Sequence, residues 1–207
     1  MKLFKRNPST DRDKEYWDVA SKKSLDQVMD NICDGFDEKK FSNNKESIIF
    51  EAKINFKLDD TVLDLACGIG RTAKWVAPLV KEYYGVDYIQ GMVSKATEYN
   101  IDVPNTKFKV TDGKTLDFPN DMFDIVYCEL AYQHMRKEVQ SSYTSEVHRV
   151  LKPGGRFYVQ IPKFEFYKDT TYSHYDIKGL FDIFSSHRLL EVEDKRYIAY
   201  FAVEATK

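Results

Sequence analysis

Cysteine is scarce in this chain. Cys33, Cys67 and Cys128 are odd in number and far apart in 207 residues, a pattern that fits a reducing compartment better than a disulfide scaffold and offers no metal-ligand spacing. All three read as small buried apolar residues. No stretch approaches the apolar length of a membrane span, and no apolar signal core follows Met1, so a cytoplasmic chain without a membrane partner is expected. An excess of charge is lacking as well. Lys plus Arg total 31 against 33 for Asp plus Glu, a net charge of -2, so no basic field draws the chain to nucleic acid. Repeats and low-complexity tracts are not visible either.

What is present suits one globular unit: 43% hydrophobic and 31% charged residues in a length that supports one well-buried core. The expected organisation is a single domain over 1–207, with an N-terminal helical cap over 1–58 and a cofactor-binding core over 59–207.

The most informative segment is V-L-D-L-A-C-G-I-G-R, residues 62–71. A buried strand is normally an unbroken apolar run, so Asp64 inside this one needs a partner, either a cationic ligand or a row of loop amides. Gly68 and Gly70 let the backbone turn sharply and approach a ligand, and Arg71 is expected to open a helix whose amides face the same point. Residues 68–73 also satisfy the dinucleotide fingerprint G-x-G-x-x-G/A, so the glycines alone do not choose a cofactor. Tyr83-Tyr84-Gly85-Val86-Asp87 is a second short strand ending in a carboxylate, placed to accept from ribose hydroxyls. Both nucleotide cofactors want that.

Four further segments follow in order: Val110-Thr111-Asp112-Gly113 closing a third strand, residues 123–128 as a fourth, residues 149–155 (R-V-L-K-P-G-G) as a helix stop, and residues 156–161 as a fifth strand. With these, the chain resembles the class I S-adenosylmethionine-dependent methyltransferases, in particular a small-molecule branch of the type 11/25-like kind. The resemblance is close over residues 60–162 and looser beyond. It implies an α/β fold with a Rossmann-like, seven-stranded, mostly parallel sheet ordered 3-2-1-4-5-7-6, strand 7 antiparallel, and helices on both faces. It also implies S-adenosylmethionine as methyl donor, S-adenosylhomocysteine as product and a small-molecule acceptor. Under it, Asp64 organises the glycine loop near the amino-acid end of the cofactor, and Ala66, Gly68, Gly70 and Arg71 belong to the same loop. Asp87 takes the ribose, Tyr88 and Met92 flank the adenine, and Asp112 with Gly113 reads the base. Glu129 lies beside the methionine portion. His134, within the segment 131–135 after the fourth strand, is the candidate general base.

The alternation of strands and helices argues for a parallel sheet covered on both sides. Strands are expected near 61–66, 83–87, 106–111, 123–128 and 156–161. Ser24 and Gln27 form a capping box before a helix, and another helix is expected from Lys45. Helices are also expected over 72–76, ending or restarting at Pro78, over 90–99, and along Val139, Tyr143, Val147 and Val150 up to Pro153-Gly154-Gly155. Residues 176–186 read as a helix, followed by strands at 189–193 and 198–205. His148 and His187 read as helix-surface residues, and His174 as a loop histidine in the aromatic segment 164–175. Two rival functions stand beside the methyltransferase: a nicotinamide-dependent oxidoreductase, disfavoured by the missing Tyr-x-x-x-Lys pair, and a non-catalytic domain that binds the cofactor and regulates.

Overall fold

The computed structural model describes residues 12–28, 54–129, 131–132, 135–162, 177–192 and 200–207. The elements are α1 (Arg12–Ser21), β1 (Thr61–Leu65), α2 (Ala73–Val76) running into a 3-10 turn (Ala77–Leu79), β2 (Glu82–Asp87), α3 (Gln90–Tyr99), β3 (Thr106–Val110), β4 (Phe123–Cys128), α4 (Lys137–Val150), β5 (Leu151–Pro162), α5 (Ile177–Phe181), β6 (Ser186–Val192) and β7 (Tyr200–Thr206). The strands form one seven-stranded sheet in the order β3-β2-β1-β4-β5-β7-β6. Neighbours from β3 to β5 pair in parallel, whereas β7 runs antiparallel to both β5 and β6. This is the expected order and the expected reversed strand.

Period-two alternation divides the sheet into two packed faces. Leu63, Leu65, Val86, Phe157 and Val159 point toward α4 and α5, where Tyr143, Val147, Val150, Phe181 and Phe184 complete the larger core. Val62, Tyr83, Ile125, Tyr127 and Tyr158 point the other way, onto Ala73, Val76, Ala77 and Val80. β1 sits mid-sheet with every residue buried, while β3 at the edge is half exposed and carries Lys107 and Lys109 outward. Charged side chains on an open edge oppose pairing with a second sheet.

Several boundaries differ from the sequence reading. Arg71 and Thr72 precede the helix, which is a single turn from Ala73, and Pro78 restarts the chain as a 3-10 turn. α4 ends at Val150 and passes directly into β5, so Pro153-Gly154-Gly155 does not stop it. Those residues form a bulge instead, where the β4–β5 register jumps from Phe123–Leu151 to Ile125–Arg156. Lys207 clamps the bulge, its backbone pairing with Gly154 and Gly155 and its Nζ donating to the Leu151 carbonyl at 2.8 Å. The helix expected over 176–186 is confined to Ile177–Phe181, and β6 already begins at Ser186, which puts His187 on a strand. His148 is on α4 as expected, with its ring edge-on to Phe184 at 5.3 Å.

The capping box is formed as read: Gln27 N donates to Ser24 Oγ at 3.3 Å and Ser24 N to Gln27 Oε1 at 3.2 Å. The helix expected from Lys45, Cys33, His134 and the segment 164–175 lie outside the described residues. Among the described residues, no helix is long and apolar enough to cross a membrane.

Candidate cofactor site

The loop after β1 is where the sequence departs most from ordinary backbone. Ala66, Gly68 and Gly70 have φ of 62°, 55° and 66°, a left-handed sequence that only glycine adopts without steric cost. Backbone bonds hold it in place: Cys67 N donates to Val86 O, and Gly70 N to Cys67 O, both at 2.9 Å. Gly68 N donates to Asp87 Oδ2 at 2.9 Å, which ties the loop to the end of β2.

The glycines serve different ends. A Cβ at Gly70 would lie 2.7 Å from Asn100 Nδ2 and 2.8 Å from the Phe108 ring. That residue therefore makes room for α3 and β3 and does not line the cleft. Gly68 does line it, together with Ala66, Cys67, Ile69 and Arg71. The cleft, about 520 Å³ in volume, opens across the C-terminal ends of β1, β2 and β4, the crevice that an open α/β sheet leaves where strand order reverses.

The three aspartates read from the sequence have three different environments. Asp87 is buried in the cleft wall, its two oxygens accepting from Gly68 N and Ile89 N at 2.9 Å each. Burial pushes its carboxyl up to about 6, against the opposing pull of those amides. Asp112 is exposed at the cleft rim, accepts from Lys114 N and Thr115 N at 2.7 Å, and is held below the usual carboxylate range by those amides. Asp64 is absent from the cleft lining. Its partners are neither loop amides nor a cation: Oδ2 accepts from Tyr83 OH at 2.5 Å and Thr72 Oγ1 at 2.9 Å, and Tyr127 OH lies 2.9 Å from Thr72 Oγ1. Burial pushes the Asp64 carboxyl up to about 7.

Sequence register explains that cluster. Asp64 lies opposite Tyr127 on β4, and Tyr83 precedes by two residues the Gly85 that faces Asp64 on β2. All three side chains therefore point to the α2 side of the sheet. At the far wall Arg71 Nη2 reaches Glu129 Oε2 at 3.4 Å, both side chains buried.

Of the residues read as cofactor contacts, Ala66, Gly68, Arg71, Asp87, Tyr88, Met92, Asp112, Gly113 and Glu129 line the cleft; Asp64 and Gly70 stand behind it. The cleft is also lined by Lys14 and Trp17 from α1, by Ile89, by Met135 and Arg136 just before α4, and by Val139 and Tyr143 on it. α1 reaches the site because Gly91 on α3 lets Ser21 approach within 2.3 Å of where a Cβ would be. Trp17, Ala20, Val28, Ile69, Ile89 and Met92 then form a third apolar cluster beside the glycine loop. Among the described side chains of this helix the buried side is short: Ala20 and Ser21 are buried and Trp17 is half-buried. Cys67 and Cys128 are buried, and burial raises both thiols well above their ordinary value.

Residues 63–159 match the profile of the "Methyltransferase domain" family. Over this stretch, just under half of the chain, the sequence is similar to that family. The stretch contains the Asp64 cluster, the glycine loop, Asp87, Asp112 and Glu129, while Lys14 and Trp17 fall outside it. The chain is similar to an uncharacterized methyltransferase of Bacillus subtilis, 36% identical over 126 residues, covering 58% of this chain and 48% of the relative. It spans less than half the length of the first curated relatives it matches. Among solved structures, a methyltransferase from Aquifex aeolicus superposes with a TM-score of 0.67 at 17% identity, covering 86% of this chain and 97% of that one. Phosphoethanolamine N-methyltransferase 1 of Haemonchus contortus, in complex with phosphoethanolamine and S-adenosylhomocysteine, superposes with a TM-score of 0.67 at 14% identity, covering 95% of this chain and 49% of that one. At those identities the likeness is one of fold.

Proposed function

We propose that this chain transfers a methyl group from S-adenosylmethionine to a small-molecule acceptor. One observation carries the reading: a buried carboxylate, Asp87, stands in the cleft wall at the end of β2, fixed by two backbone amides, one of them Gly68 N of the glycine loop it anchors. Each of its oxygens accepts one amide and keeps a lone pair for a hydroxyl donor. That suits a ribose. The cleft volume of about 520 Å³ falls in the range of pockets that enclose nucleotide-sized ligands. Tyr88 and Met92 would flank the adenine, Asp112 and Gly113 would meet its edge, and Ala66, Gly68, Arg71 and Glu129 would surround the amino-acid end.

When bound, the cofactor supplies a methyl group on a sulfonium, already a reactive electrophile. The protein's work is then to align the acceptor, and approximation alone can supply roughly 7 to 11 kcal/mol. A base is needed where the acceptor carries a proton of high pKa. His134 is our candidate, because its sequence neighbours Ala131, Met135 and Arg136 line the cleft. His134→Ala is expected to lower turnover while leaving cofactor affinity unchanged; equal turnover in the variant removes the role.

Calorimetry with S-adenosylhomocysteine and NADH in parallel tests the cofactor. Micromolar binding of the first alone is expected. Binding of NADH alone turns the reading to a redox enzyme, and tight S-adenosylhomocysteine binding without turnover on a broad acceptor panel favours the regulatory domain.

A further inference from the structure

Asp64 and its three hydroxyl partners stand behind the cleft, where no ligand contact explains them. We infer that Tyr83, Tyr127 and Thr72 are positioning residues for the cofactor, their hydroxyls holding Asp64 and, through Thr72, the exit of the glycine loop. The inference rests on the cofactor reading above and goes beyond it to residues outside the cleft.

The proton count supports it. Three hydroxyl protons are available, and two of them go to one oxygen, Asp64 Oδ2. Thr72 and Tyr83 each donate to Asp64 Oδ2, and Tyr127 has its proton for Thr72 Oγ1 at 2.9 Å or Tyr83 OH at 3.1 Å, both of which have spent their own protons on Asp64. An ionised Asp64 is the acceptor at which this chain of bonds ends. A protonated Asp64, its proton on Oδ1, accepts the same two bonds at Oδ2 as a neutral group, and the loss of charge weakens both. Thr72 is the residue that would move, because Tyr83 and Tyr127 belong to paired strands while Thr72 sits where the glycine loop enters α2. Movement of Thr72 displaces Arg71, a cleft residue in contact with Glu129.

The groups facing Asp64 are Tyr83 from β2, Tyr127 and Cys128 from β4, Cys67 from the loop, and Glu129 beyond β4. Burial and the Glu129 charge oppose its ionisation, and the hydroxyls favour it. Removing a hydroxyl therefore makes Asp64 harder to ionise.

The test is calorimetry of S-adenosylhomocysteine binding to the wild type, Tyr83→Phe and Tyr127→Phe, on both sides of the Asp64 value of about 7. Wild-type affinity is expected to fall as pH drops through that value. Tyr83→Phe is expected to weaken binding about tenfold near neutrality and to move the midpoint of the fall to higher pH. Tyr127→Phe, one bond further away, shifts it less. Asp87, at about 6, contributes its own fall below that pH, which the tyrosine substitutions leave in place. Thermal unfolding without ligand checks that each variant is folded, and Tyr127→Phe carries the test if Tyr83→Phe is not. Folded variants with the wild-type pH profile overturn the inference and leave the cofactor reading standing. A wild type that binds no S-adenosylhomocysteine at any pH overturns both.

Discussion

The two sides of the cleft hold their carboxylates by opposite means. On the β2 side, Asp87 accepts from Gly68 N and Ile89 N, backbone donors that any sequence able to make the turn would supply. On the β1 side, Asp64 depends on Thr72, Tyr83 and Tyr127, side chains that come from three different elements. A site built on backbone amides tolerates change around it. One built on hydroxyls is expected to weaken when any one of them is lost, because each is specified by a single residue. The glycines divide similarly: Gly70 is fixed by its neighbours Asn100 and Phe108, whereas Gly154, with φ of 78°, has nothing within 4 Å of a Cβ.

The largest expected effect comes from Gly70→Ala. It combines an unfavourable φ with close contacts to Asn100 and the Phe108 ring, and should destabilise the fold by about 3 kcal/mol in urea unfolding. A loss no larger than that of Gly154→Ala would erase the difference between the two glycines.

Asp64→Asn should act next, and with the opposite sign. The folded value of about 7 lies above the ordinary 3.8, so burial penalises the ionised form. The stability Asp64 contributes is full below 3.8 and lost as pH rises through about 7. Asn lacks that loss. The variant should therefore be more stable than the wild type by about 2 kcal/mol above neutrality, with the gap closing toward acid. A gap independent of pH would show that Asp64 does not titrate in this range.

Asp87→Ala should follow, weakening S-adenosylhomocysteine binding at least about tenfold, or ~1.4 kcal/mol, with the fold retained. Calorimetry on the folded variant decides it, and unchanged affinity would refute the ribose contact. The smallest effect should be Gly154→Ala. With space around it, the substitution costs only the left-handed φ, about 1 kcal/mol, read by thermal unfolding.

Local chemistry made much of this molecule legible in advance. The order of strand segments, the turn glycines and the Ser24–Gln27 cap depend on residues close in sequence, and those were read correctly. The errors occur where a distant partner takes over. Pro153-Gly154-Gly155 reads as a helix stop, yet α4 ends at Val150, and the C-terminal Lys207 turns those residues into a strand bulge. Residues 182–186 read as helix, yet Ser186 pairs with Thr206 on β7. α1 is legible only as part of an N-terminal helical cap over 1–58, because its place beside the cleft depends on Ser21 meeting Gly91, a contact no period in its own sequence announces.

By itself the sequence determined that β1 would be a buried strand with a carboxylate, that the chain would turn through left-handed glycines after it, and that a second carboxylate would end β2. These follow from hydrophobic burial and from backbone sterics, which act over a few residues. Only the tertiary structure decided what Asp64 would bind. Its hydroxyl partners lie 8, 19 and 63 positions along the chain at Thr72, Tyr83 and Tyr127. Parallel register brings the two tyrosines to one face of the sheet, and a buried carboxylate takes whatever donors that face presents.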